Sequence, residues 1–225
     1  MMITALTCGF LHHLVPPERI NFERLHIFLF NLCSGGTLLV YYTEAQPGLS
    51  WRGRLFLIFS VLFAFCAFFQ WYLPTIFLSL ALALLVEKVR ENRFGKGLPL
   101  ALFTRQEPVM RKFHQAALLC LAIGLALSSL VILNSAYLHL VNIKQLKLDT
   151  FFLGFSFPIS LISMSVIFSL MKHEKVGITK ILKECSFWMI NLGVIVFFLF
   201  ILANMFRAQV AIATALFLTV AYIFW

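Results

Sequence analysis

The stretch from Leu55 to Val86, LFLIFSVLFAFCAFFQWYLPTIFLSLALALLV, carries no charged residue. Wound as one helix at 1.5 Å per residue, Phe56 to Val86 would be roughly 46 Å long, against about 30 Å for the hydrocarbon of a bilayer. Pro74 lies near its middle, and Gln70-Trp71-Tyr72 place Trp and Tyr where aromatic side chains favour the lipid headgroup level. The stretch is therefore read as two membrane spans, about 55–69 and 75–86, joined by a tight interfacial turn. A re-entrant hairpin is the disfavoured alternative.

Outward from this pair, similar apolar runs recur. One precedes it at about 25–43, bracketed by Pro16-Pro17 and Gln46-Pro47-Gly48. After it comes a polar loop, 87–112, punctuated by Gly95, Gly97, Pro99 and Pro108. Four more runs follow at about 113–138, 151–171, 185–203 and 210–225. The expected architecture is all-α: a polytopic integral membrane protein of about seven transmembrane helices. Residues 1–24 form an external N-terminal segment and 25–225 the membrane domain.

Composition agrees. Hydrophobic residues make up 61% of the 225 positions, charged residues 12%, and the mean hydropathy is +0.94. Soluble domains carry about a quarter charged residues, so the lipid bilayer is the expected solvent. Seven spans leave no room for a soluble catalytic domain.

The net charge of +9 is patterned. If the long loop is cytoplasmic, that side holds Arg52, Arg54, Lys88, Arg90, Arg93, Lys96, Arg105, Arg111, Lys112, Lys172, Lys175, Lys180 and Lys183. The opposite side holds Arg19, Arg24, Lys144, Lys147 and Arg207. Thirteen against five on alternating loops is a positive-inside distribution. It predicts an outside N-terminus and a cytoplasmic C-terminus. It also accounts for the basicity without nucleic acid, which is not expected as a partner.

Cys8, Cys33, Cys66, Cys120 and Cys185 show no paired spacing, so neither a disulfide framework nor a zinc site is indicated. Met1 to Val15 lacks a basic n-region and is not expected to be a signal peptide. The last run ends at Trp225, which is read either as an interfacial anchor or as the edge of something longer. With no Asn-x-Ser/Thr sequon, a bacterial inner membrane is the expected location.

Ionisable groups inside a span are costly and mark function by default. Here all nine acidic residues fall in loops or at span ends, Glu44 and Glu184 included, which argues against a carboxylate-coupled pump. The first span is the most polar. His26, Phe30, Cys33, Thr37, Tyr41 and Glu44 recur at steps of three or four and so share one face of an α-helix. This is a candidate ligand-facing stripe, although a face buried against other helices, with Gly35-Gly36 permitting close approach, is the favoured explanation. Ala116, Cys120, Gly124 and Ser128 form a small-residue stripe read as helix packing. Ser156, Ser160, Ser163, Ser165 and Ser169 share the fifth span with Pro158, a possible kink.

His26 and His139 are expected at one membrane depth on different helices, where two neutral imidazoles could ligate a haem b. His114 and His139 could not share an iron, being separated by about 37 Å of helix. The last span has no Lys for a retinal Schiff base, and no Walker, HExxH or GxSxG pattern occurs. Three classes remain: a sensing or binding membrane module with a membrane or cytoplasmic protein partner, a haem-binding redox subunit, and a transporter or channel component. The first is preferred, and an enzyme is not expected.

Overall fold

A computed structural model describes residues 1–15, 21–97, 99–104, 106–141, 155–171 and 177–224. Over these residues the chain is helical, with no strand. A short helix α1 (Met2–Leu11) precedes α2 (Phe22–Glu44), α3 (Trp51–Phe68), α4 (Tyr72–Phe94) and α5 (Val109–Leu138). Then come α6 (Phe157–Leu170), α7 (Ile178–Leu202) and α8 (Phe206–Phe224). Six of these, α2 to α5 with α7 and α8, are long and apolar enough to cross a membrane. This is the architecture of a multi-pass membrane protein. The seventh expected span is represented by α6, whose 14 residues rise only about 21 Å; positions 151–154, its expected start, lie outside the described residues, as do His173 and Trp225.

Local chemistry sets the helix ends. Asn21 caps α2 by accepting the Arg24 N–H at 2.9 Å, and Ser50 caps α3 by accepting that of Gly53 at 3.0 Å. Helix α4 outlasts its apolar run, which thins at Val86, by continuing to Phe94. Arg90–Glu87 and Lys88–Glu91 pairs at i,i+3 support the extension, and Gly95 at φ +96° ends it. The loop expected over 87–112 therefore shortens to residues 95–108, with a 3₁₀ turn at Leu100–Phe103. Pro158 sits in the first turn of α6, where its missing N–H costs nothing, and so starts that helix instead of kinking it.

Within lipid, burying apolar surface gives little drive for helix association; close packing and interhelical hydrogen bonds decide it. Between α4 and α5 the Ser79 and Ser128 hydroxyls lie 2.7 Å apart, and both reach the Leu125 carbonyl, at 2.6 and 2.8 Å. Helix α6 packs on α5 through Ser165, which donates to the Met110 carbonyl at 2.8 Å, and through Phe168 stacked on Phe113. Glycines admit the closest contacts. A Cβ at Gly36 would lie 2.7 Å from the Phe56 ring of α3, and one at Gly35 would overlap the end of the Ile159 side chain of α6. At Gly124, inside the expected small-residue stripe, the nearest atom would be 3.9 Å away. That stripe packs through Ala116 and Ser128, both buried. Helix α8 rests on α7 and is otherwise largely uncovered by the chain.

Helix α2 is irregular. From Phe28 to Gly36 it winds as a π-helix of nine residues, closing i→i+5 rings. The Ser34 hydroxyl donates to the Leu29 carbonyl five residues back, at 2.9 Å. Just beyond, the Thr37 Oγ1 is buried without a hydrogen-bond partner among the described residues, whereas Thr43 and Thr75 each donate to the carbonyl four residues back.

Candidate functional site

Contacts between distant segments sort the helix ends into two groups. At one end the start of α2, the α3–α4 turn and the end of α5 converge. They enclose a cavity of about 150 Å³ lined by Arg24, Ala67, Gln70, Tyr72, Thr75, Ile132 and Ser135. An apolar cavity of about that volume can hold a benzene-sized molecule, and about half of this one's lining is polar. Gln70 takes φ +58°, an uncommon backbone for a residue with a Cβ, which lets the turn double back on itself. Thr75 is committed, its hydroxyl donating to the Trp71 carbonyl at 2.6 Å. Tyr72 and Ser135 are held more weakly, by bonds of 3.5 Å to Gln70 and 3.2 Å to the Ile132 carbonyl.

The opposite end is a lattice of paired charges. The Thr43 hydroxyl spends its one proton on the Leu39 carbonyl, so His114, 2.8 Å away, must donate to it from Nε2. Tyr42 and Phe94 flank that imidazole. Arg90, 2% exposed, is held by Glu87 through two bonds and by the Gly97 carbonyl at 3.0 Å. Lys112, also 2% exposed, donates to both Glu184 oxygens at 2.7 and 2.9 Å and ties α5 to α7. Glu44 accepts from Ser50 and pairs with Arg52 at 3.4 Å. Two cations counted in the basic loop are thus interior struts.

The expected site residues are dispersed. His26 is half-buried beneath α1, and its Nδ1 lies 2.7 Å from the Ala5 carbonyl. A carbonyl can only accept, so Nδ1 carries a proton, and the tautomer of the neutral ring is the one with its lone pair on Nε2. His139 is exposed at the left-handed end of α5, φ +51°, and no described contact joins it to His26. Along the stripe Cys33 is buried, Thr37 intermediate, Tyr41 exposed and Glu44 engaged in the charge lattice. The π winding of Phe28–Gly36 takes more residues per turn, so a three-and-four spacing does not carry one face from His26 across to Thr37. It does not account for the unequal exposure of Thr37, Tyr41 and Glu44, which share one α-helical face beyond it. Sequence reasoning missed the cavity. Arg24 had entered only the charge count, and the remaining lining comes from separate segments with no spacing signal between them.

No protein-family model matches the chain, and neither the curated proteins nor the solved structures compared with it give a match.

Proposed function

We propose that this chain is a sensing or binding module of the membrane that takes a small polar ligand at its outer end. The observation that carries the reading is the cavity built by Arg24, Gln70, Tyr72, Thr75 and Ser135 from three separated segments. Small-molecule sites fix their ligand's orientation with a small number of placed polar groups, and this cavity gathers an amide and several hydroxyls. The proposed topology has seven crossings, with the N-terminus outside and the C-terminus cytoplasmic. Its support is twofold. The thirteen-to-five charge asymmetry assigns the charge-lattice end to the cytoplasm. Glu184 near the start of α7 meets Lys112 near the start of α5, so these helices run parallel and a return crossing belongs between them. Helix α6, with Phe168 on Phe113, is the natural part of that crossing. A bacterial inner membrane is the proposed location, on the sequence grounds given above.

The test uses Ser135→Cys in a background without Cys8, Cys66, Cys120 and Cys185, of which Cys185 is exposed. In intact cells a membrane-impermeant maleimide is expected to label this cysteine, and one or more of a panel of small polar solutes to slow the labelling severalfold. Labelling only after permeabilisation overturns the orientation. Labelling that no solute slows overturns the binding reading.

One observation favours haem as a second reading. Metal-ligating histidines characteristically donate their other ring N–H to a carbonyl or carboxylate, as His26 does to Ala5. Protein purified in detergent, oxidised and then reduced with dithionite, would in that case show a Soret band and sharp α and β bands lost in His26→Ala. A spectrum flat above 300 nm from folded protein removes this reading.

A further inference from the structure

We infer that helix α1 is a lipid-docked element, whose uncovered face of Ile3, Leu6 and Phe10 inserts among the acyl chains of the membrane beside α2. This does not depend on the cavity being a binding site. The proposed orientation decides only that the leaflet is the outer one.

Residues 1–15 contain no Lys, Arg, Asp or Glu. Ile3, Leu6 and Phe10, each more than half exposed, stand three and four residues apart and so share one face of α1. Beside them Thr7 folds its hydroxyl back onto the Ile3 carbonyl at 2.9 Å. The other face carries Ala5 and Cys8, both buried, and Gly9, where a Cβ would lie 2.9 Å from His26 Nδ1. A helix apolar on every side has no face for water. Contacts with α2 fix its level. His12 Nε2 lies 3.8 Å from the Glu23 carboxylate in the first turn of α2, His26 bonds to Ala5 about one turn further on, and α1 also packs on the π segment. Followed from Leu11 back to Met2, α1 thus leads from the end of a membrane-spanning helix inward along it. The side chains decide what covers the exposed face. Helices that associate inside a membrane place small residues at the contact, and Ala5, Cys8 and Gly9 already face α2. The outward face offers branched and aromatic side chains, with no charge to orient a second helix. Such a surface fits acyl chains.

The test places one fluorophore at a time on this face. Leu6→Cys and Phe10→Cys are made in full-length protein whose Cys8, Cys66, Cys120 and Cys185 are replaced by alanine, and each is labelled with nitrobenzoxadiazole maleimide. Gly48→Cys, in an exposed turn with open space around it, is the reference for water. The proteins are reconstituted in phosphatidylcholine nanodiscs, and quenching by aqueous iodide is compared with quenching by phosphatidylcholine that carries a doxyl group near the head of one acyl chain. The doxyl lipid is expected to quench the labels at positions 6 and 10 severalfold more than iodide does, with the reverse at position 48. Ile3→Cys, the most exposed of the three, replaces either site where a label disturbs folding. Iodide quenching on α1 equal to that at position 48 puts the face in water and overturns the inference. Shielding from both quenchers means that a second copy or another protein covers the face, and overturns it as well. Both faces of a nanodisc are open to iodide, so an error in the proposed orientation leaves the result unchanged.

Discussion

Replacing Lys112 by methionine is expected to lower the unfolding free energy by about 3–5 kcal/mol, because it strands the Glu184 carboxylate against the protein interior. The ammonium is 2% exposed and bonded to both carboxylate oxygens, and it lies 5.9 Å from the Phe187 ring. Glu184→Gln should also destabilise, since the buried cation then loses its counter-charge. The pair as a whole is another matter. Two charges taken from water recover in mutual attraction roughly what their desolvation costs, so apolar residues of similar size can replace both at small net loss. Lys112→Met with Glu184→Leu should therefore restore most of the stability that Lys112→Met removes. Unfolding titrations of the four proteins give the coupling directly. Simple addition of the two single losses would mean that the contact does not hold α5 to α7.

A second large effect is expected at Gly36. An alanine there places Cβ 2.7 Å from two carbons of the Phe56 ring and 3.6 Å from Leu121, both buried side chains with little room to move. Overpacking of this kind costs about 1–3 kcal/mol, and a leucine should prevent the helices from closing. Gly35→Ala meets the movable end of Ile159 and should cost less. Gly124→Ala is the contrasting case. Its nearest contact is an ordinary 3.9 Å, so the gain in helix propensity, up to about 1 kcal/mol, should leave it neutral or slightly stabilised. Midpoints of thermal unfolding in one detergent would rank the three. A Gly36→Ala protein as stable as Gly124→Ala would mean that α2 and α3 do not approach as closely as described.

The helices themselves were legible because hydropathy alone governs them. A run such as Leu55–Phe69 has no alternative in water, and Gln70 to Pro74 punctuate it unambiguously. Helix ends were less legible, since Glu87, Lys88, Arg90 and Glu91 read as loop by polarity and yet sustain α4 by pairing with one another. The close approach at Gly35-Gly36 was anticipated from residue size, but nothing in the sequence distinguished those glycines from Gly124. The cavity was illegible for a different reason. Arg24, Gln70 and Ser135 are individually ordinary, and only the antiparallel return of three chain segments gathers them. The stripe on α2 was read on an α-helical wheel, which holds on either side of Phe28–Gly36 and not across it.

The change of winding in α2 also sets an angle between its two ends. An α-helix turns about 100° per residue, while a segment closing i→i+5 rings turns less, and over nine residues the lag accumulates. The helix is thus a shaft with a gear inserted in it, Arg24 above and Thr43 below. Rewinding even part of the segment as α would rotate one end against the other. Arg24 lines the cavity and Thr43 holds His114, so the winding of this one segment sets the angular offset between those two contacts.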